Sequence, residues 1–210
     1  MNSKTLSGWM LTAAPILFFL IIFIAWPAII GEADTAAEEV KLMLDKPLLT
    51  SIFTLLGVLV FGSMSIGFTL LAWSRADGAT TEGTLASIAA VIFVGLTAMI
   101  IVGLGLTSPI LGEGDENLAE AETLMVVSNS MFAAVFLAWT LGNIILGAAL
   151  LIENKINRIA SGLLLLSGIL LFLMHIVAGS DINLDVIWIV PFMSAPISAL
   201  VLGIFSLRSE

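Results

Sequence analysis

Residues 49 to 73 read LTSIFTLLGVLVFGSMSIGFTLLAW and contain no charged side chain. An α-helix rises about 1.5 Å per residue, so roughly 20 apolar residues are enough to cross the hydrocarbon core of a bilayer, which is about 30 Å thick. Backbone N–H and C=O groups must be satisfied inside the segment at that depth, and a helix does this. The stretch therefore predicts a transmembrane helix.

Five further apolar runs lie on either side of this stretch. The six predicted spans cover residues 8–30, 49–73, 84–107, 123–152, 161–178 and 187–207. The chain is 60% hydrophobic and 11% charged, whereas soluble domains carry roughly 25% charged residues. The composition therefore excludes a water-soluble globule, and the connections are too short for a second domain. We expect an all-α, polytopic transmembrane bundle that forms a single domain over residues 1–210.

Basic residues orient this bundle, because Lys and Arg in short loops stay on the cytoplasmic side. With both termini inside, five of the seven basic side chains are cytoplasmic, namely Lys4, Arg75, Lys155, Arg158 and Arg208. Twelve of the sixteen acidic side chains then lie outside. We expect a multi-pass protein of the cell membrane with acidic loops on its outer face. The first span is longer than a signal-peptide core, so we expect an uncleaved anchor.

The first outer loop predicts a short amphipathic helix. Ala36, Val40 and Leu44 recur at four-residue spacing, and Glu38, Glu39 and Asp45 lie at other positions. Asp34 or Thr35 is expected to cap its start. The favoured interpretation is a lid on the outer membrane surface, and the alternative is a functional gate.

Small residues at four-residue spacing predict where helices approach closely, because association in lipid depends on close packing. Such rows occur in helix four, at Ser130, Ala134, Ala138 and Gly142, and in helix six, at Ala195, Ala199 and Gly203. We expect these rows to lie inside the bundle, and a subunit interface is the alternative.

Few polar side chains fall within the predicted spans, and each is a candidate functional group. Asn129, Thr140 and Asn143 lie within about 60° of one another on an ideal helix four. His175 lies near the outer end of helix five, and Asp181 follows it within pairing distance. One hypothesis is an outward-facing polar pocket in which His175 accepts a proton. The favoured alternative is interhelical hydrogen bonding, at about 0.6 kcal/mol per contact.

The chain has no cysteine and one histidine, which excludes thiolate chemistry and sulfur-ligated metals. An outer acidic cluster, Glu113, Asp115, Glu116, Glu120 and Glu122, supplies oxygen ligands suited to Ca²⁺ or Mg²⁺, but a solvated acidic surface is the favoured interpretation. No phosphate-binding loop, zinc-binding helix or serine-nucleophile elbow is present in the sequence. We therefore expect no catalytic residue, no cofactor and no metal site.

A family resemblance is carried by three adjacent segments, namely Leu141–Gly147, the basic turn of residues 153–158 and the helix of residues 159–168. They resemble the six-helix prokaryotic membrane family catalogued as domain of unknown function four-three-eight-six. The long loop after helix one, residues 36–46, matches that family in position. The resemblance implies a six-helix membrane fold, and it implies no activity and no functional residue.

These observations favour a non-enzymatic membrane protein or accessory helical subunit whose small-residue faces pack helices together. The alternative is a transporter or channel for a small solute that uses the polar faces of helices four and five. Membrane lipids are the expected partners, with other membrane protein subunits as an alternative. The strongly acidic balance argues against nucleic-acid binding.

Overall fold

The computed structural model describes residues 2–114, 116–178 and 186–208, and every regular element in these ranges is helical. The helices are α1 (Ser3–Phe19), α2 (Trp26–Ile29), α3 (Ala36–Asp45), α4 (Pro47–Trp73), α5 (Thr81–Gly105), α6 (Thr107–Gly114), α7 (Leu118–Glu153), α8 (Arg158–Ala178) and α9 (Val186–Arg208). A π-helical segment, Leu20–Ala25, joins α1 to α2. Six stretches are long and apolar enough to cross a membrane. The predicted all-α bundle with six spans is thereby confirmed.

The six long helices form a closed ring. Each packs against the next long helix in the chain, in the order α1, α4, α5, α7, α8 and α9, and α9 returns to pack against α1. Successive helices run antiparallel, so the ends of α4 and α7 lie at the same end of the bundle as the start of α1. There Arg75 Nη1 donates to both carboxylate oxygens of Glu153, at 3.1 and 3.2 Å. This ion pair joins the turn after α4 to the turn after α7.

The centre of the ring is filled by aromatic side chains. Five of them contact one another in a cycle, Phe18, Phe61, Trp139, Phe136 and Phe192, with ring centroids 4.7 to 6.2 Å apart. They come from α1, α4, α7 and α9, so this aromatic cycle joins opposite sides of the bundle. Pairs with such spacing contribute about 0.5–1.5 kcal/mol each beyond the area that they bury.

The predicted amphipathic helix between the first two spans is present as α3, and Thr35 caps it by accepting a hydrogen bond from the N–H of Glu38. Other helices cover the apolar face of α3. Val40 and Met43 pack with apolar side chains of α6 and α7 in a second core, whose other buried members are Ile110, Ala121 and Met125. The helix therefore covers one end of the protein, which we call the α3 end.

A helix that the sequence did not predict, α6, follows directly after α5. The predicted third span stops at Thr107, and no helix was predicted between it and the fourth span, which begins at Thr123. In the structure the chain remains helical as far as Gly114, because Ile110 is buried, 1% exposed, beneath α3. Burial against a partner helix thus outweighs the poor local helix propensity.

Only part of the predicted small-residue packing is found inside the bundle. The row on α9, Ala195, Ala199 and Gly203, is buried as expected. On α7, in contrast, Ser130 and Ala134 lie on the outer surface of the ring. That part of the prediction was wrong, because other small residues of α7 and α8 make the close contact.

Gly147 and Gly168 provide this close contact between α7 and α8. A Cβ atom on Gly147 would lie 2.6 Å from the backbone nitrogen of Leu165, and one on Gly168 would lie 2.9 Å from the carbonyl oxygen of Thr140. Real Cβ atoms do not approach backbone so closely. The two helices therefore pack at this distance only because both positions lack a side chain.

Gly147→Ala is expected to destabilise the protein by about 1–3 kcal/mol, since the new methyl group forces two backbones apart. Thermal unfolding in nanodiscs measures the effect. Gly95→Ala is the matched control, because a Cβ there meets no atom within 4 Å, and it should leave the unfolding temperature unchanged or higher. Equal losses in the two variants would contradict the assigned contact.

Candidate functional site

A hydrogen-bonded chain of three polar side chains joins three helices in the interior. Asn143 on α7 donates from Nδ2 to Ser167 Oγ on α8 at 3.2 Å, and Ser167 Oγ lies 3.1 Å from Ser198 Oγ on α9. All three side chains are at most 1% exposed. We call these three residues, together with Trp139 and Thr140, the polar centre.

Local sequence explains how the chain assembles. Gly168 follows Ser167 and lets α8 lie against the backbone of α7, which brings Ser167 within reach of Asn143. On α9, Ser198 lies between the buried small residues Ala195 and Ala199, and it also donates to the carbonyl oxygen of Ala195 at 2.8 Å. Small neighbours on both helices therefore let the serine hydroxyls approach each other.

Three buried polar atoms of α7 have no hydrogen-bond partner among the described residues. They are Trp139 Nε1, Thr140 Oγ1 and Asn143 Oδ1. Their side chains are 2%, 1% and 0% exposed, so bulk water does not reach them. An unpaired buried polar group costs about 1–3 kcal/mol. The polar centre therefore contains one turn of α7 that is less stable than an apolar turn would be.

The gap beside Trp139 contains no water-sized space. It lies between α4, α5 and α7 and is lined by Phe61, Met64, Ser65, Phe68, Leu96, Ile100 and Trp139. A buried water needs room for about one probe sphere and two to four polar partners. The gap has no such room, so close packing of these seven side chains leaves no place for a water between them.

Asn129 does not join the polar centre. It lies about 16 Å from Thr140 along the helix axis, at 1.5 Å per residue, and its side chain donates to Glu39 of α3 at 3.4 Å. The reason is its position on α7, 11 residues before Thr140, at a level that the described part of α8 does not reach. The contacts of Gly147 with Leu165 and of Gly168 with Thr140 fix the register.

In that register His175 lies at the level of about residue 135 of α7. Asn129 is roughly 9 Å farther along the helix axis. His175 is half-buried on the same face of α8 as Ser161 and Gly168. Asp181, its expected partner, lies outside the described residues. Of the five candidate residues, the structure thus brings together only Thr140 and Asn143.

Several polar residues of the interior were not among the candidates. Ser167 and Ser198 extend the polar centre, and on the other side of the ring Thr97 donates to Ser65 at 2.9 Å. Their sequence signal was available in α8 and α9, where each serine adjoins a glycine or alanine on a buried face.

The acidic residues of the α3 end do not form a metal site among the described residues. No three carboxylates or imidazoles converge in the ranges 2–114, 116–178 and 186–208. Glu120 accepts a hydrogen bond from Asn117, and Asn117 caps the start of α7. Asp115 lies outside these ranges, so the predicted cluster is described without it.

Asn143→Leu is expected to leave the unfolding temperature unchanged or to raise it. The change removes one interhelical hydrogen bond, worth about 0.6 kcal/mol, and also a buried carbonyl whose lack of a partner costs about 1–3 kcal/mol. Ser167→Ala, which removes hydrogen bonds without relieving an unpaired atom, should lower it. Thermal unfolding of both variants in nanodiscs is the measurement, and a larger loss for Asn143→Leu would show that Oδ1 has a partner.

Comparison with known proteins provides no counterpart for the polar centre. No family model matches the chain, and no curated protein or solved structure matches it. The resemblance of the fourth and fifth spans, α7 and α8 in the structure, to a known family remains a prediction. The role of the polar centre is therefore inferred from its own contacts.

Proposed function

We propose that the protein is a non-enzymatic, multi-pass protein of the cell membrane that acts as an accessory helical subunit. The observation that supports this most directly is the filled interior of the ring. The aromatic cycle occupies the centre, and the polar centre joins helices instead of lining a channel. Such an interior holds six helices in a fixed arrangement and presents their outer surfaces to lipid and to partners.

The hydrogen bonds of the buried hydroxyls also support a structural role. Each of four buried serines donates to a backbone carbonyl oxygen, namely Ser7, Ser65, Ser128 and Ser198. A serine nucleophile needs a base within hydrogen-bond distance of its hydroxyl. These hydroxyls instead hold neighbouring helices or turns in place.

Charge distribution supports an orientation with both termini in the cytoplasm. Five of the seven basic residues lie at the end of the bundle where Arg75 pairs with Glu153, and most of the acidic ones lie at the α3 end. Basic loops are retained on the cytoplasmic side during insertion. The proposed protein therefore exposes its acidic face to the outside.

The outer surface of α7 is the proposed contact for a partner helix. Ser130 and Ala134 lie exposed one turn apart, and Ser130 Oγ donates to the carbonyl oxygen of Val126, which satisfies its hydroxyl within the helix. The side chains on this part of the α7 surface are therefore small, and the Ser130 hydroxyl already has a hydrogen-bond partner. Small residues at this spacing let a second transmembrane helix approach closely.

A photo-crosslinking amino acid at Ala134 tests this role in membranes of the native host. The same group at Val91 on α5, which is 70% exposed, is the control for non-specific capture. We expect a discrete adduct of higher mass, containing a second membrane protein, from position 134 and none from position 91. Lipid adducts alone at both positions would contradict a subunit role.

Transport of a small solute is the second candidate function, and the unpaired atoms of the polar centre favour it. Trp139 Nε1 is a donor and Asn143 Oδ1 is an acceptor, which is a suitable set for a neutral polar molecule. Stopped-flow swelling of proteoliposomes in glycerol or urea separates the two functions. Uptake above protein-free vesicles that is lost in Asn143→Leu would make transport the function, whereas equal rates would favour the subunit role.

A further inference from the structure

Glu39 carries a charge that the rest of the chain does not balance. It lies on α3, partly exposed, and Asn129 Nδ2 on α7 donates to one of its carboxylate oxygens at 3.4 Å. Its other oxygen accepts no hydrogen bond from the residues that the structure describes. Burial raises the pKa of the Glu39 carboxyl above its ordinary value of 4.5, and the hydrogen bond from Asn129 lowers it. A single neutral donor therefore compensates only part of the cost of removing this carboxylate from water.

Neither of the two basic residues at the α3 end pairs with Glu39. The other five of the seven lie at the opposite end of the bundle. Lys46 Nζ donates to the carbonyl oxygen of Ile29. Lys41 is exposed, and it leaves α3 on another face because it lies two residues after Glu39. The described part of the chain therefore supplies no cation to this carboxylate.

At the opposite end of the bundle, a buried carboxylate does have counter-ions. The side chain of Glu153 is 10% exposed, and nitrogen atoms of Arg75 and Lys155 lie 3.1 and 3.0 Å from its Oε1. Such partners offset part of the cost of taking a carboxylate out of water. Within the described residues, Glu39 lacks the kind of partner that Glu153 has.

Glu39 adjoins the surface of α7 on which a partner helix is proposed to pack. Its donor Asn129 is exposed, as are Val126 and Ser130, and these three residues lie within about 100° of one another around α7. Ala134 lies about 7.5 Å from Asn129 along the helix axis. One exposed surface of α7 therefore runs from Ala134 to the residue that holds the Glu39 carboxylate.

We propose that Glu39 is the counter-ion for a lysine or arginine of the partner helix, placed level with Asn129 when that helix packs on Ser130 and Ala134. This inference rests on the proposed subunit function and names the chemistry of the partner. The long side chain of Lys or Arg extends along apolar surface and brings its charge to the carboxylate. The many acidic residues of the α3 end attract such a cation and repel an acidic partner.

Photo-crosslinking from position 134 in membranes of the native host measures the contribution of Glu39. The parent protein here carries only the crosslinking group. Adding Glu39→Gln should lower the yield of the protein adduct about fivefold, because an amide of similar size carries no charge. Asp45→Asn is the matched control, since it removes the same charge from an exposed position of α3. Its yield should equal that of the parent protein.

The outcomes separate this inference from the subunit function. A protein adduct of equal yield in the parent protein and in Glu39→Gln would overturn the role of Glu39 and leave the subunit function standing. Equal losses in Glu39→Gln and Asp45→Asn would overturn the pairing as well, because they would show an effect of total charge. Lipid adducts alone in every variant would contradict the subunit function itself, and this inference with it.

Exchange of the two charges tests the pair even where Glu39→Gln folds poorly. Mass spectrometry of the parent adduct identifies the captured helix, and a helix without Lys or Arg within about one turn of the level of Asn129 would overturn the proposal. Glu39→Lys should abolish the adduct, and replacing the partner's basic residue with glutamate should restore it. A loss that this exchange does not restore would also overturn the pairing.

Discussion

Helices in a bilayer gain nothing from hiding apolar side chains from one another, because lipid tails are as apolar as leucine. The rest of this structure depends on how α7 and α8 meet that constraint. Gly147 and Gly168 bring the two backbones together, and this approach carries Ser167 to Asn143 and places α9 within reach of both. The polar centre therefore depends on glycine, which has no side chain, at positions 147 and 168.

The interior of the ring and the α3 end differ in the contacts that hold them. The interior combines large aromatic rings with hydrogen bonds between neighbouring helices, and its dry packing fits a role as a fixed scaffold. The α3 end relies on one small apolar core and a few polar contacts, including a carboxylate in an unfavourable position. The α3 end is therefore joined to the ring by fewer contacts than the long helices make with one another.

Sequence patterns predicted the six spans and α3 because each depends on a local property, either apolar length or four-residue spacing. The grouping of Asn129 with Thr140 and Asn143 failed because helical angle does not determine depth, and 11 residues of α7 separate Asn129 from Thr140 along the helix axis. Ser167 and Ser198 were missed for a related reason. Their importance comes from the distance between helices, which two glycines set and which no single helix reveals.

The closed ring also has a consequence for biogenesis. Each long helix packs against the one made just before it, so helices leaving the ribosome meet their partners in order of synthesis. The contact between α1 and α9 is the exception. The face of α1 that carries Leu11 and Phe18, both buried in the finished ring, stays without that partner until α9 has been inserted. During that interval lipid or an insertion chaperone must occupy the place of α9.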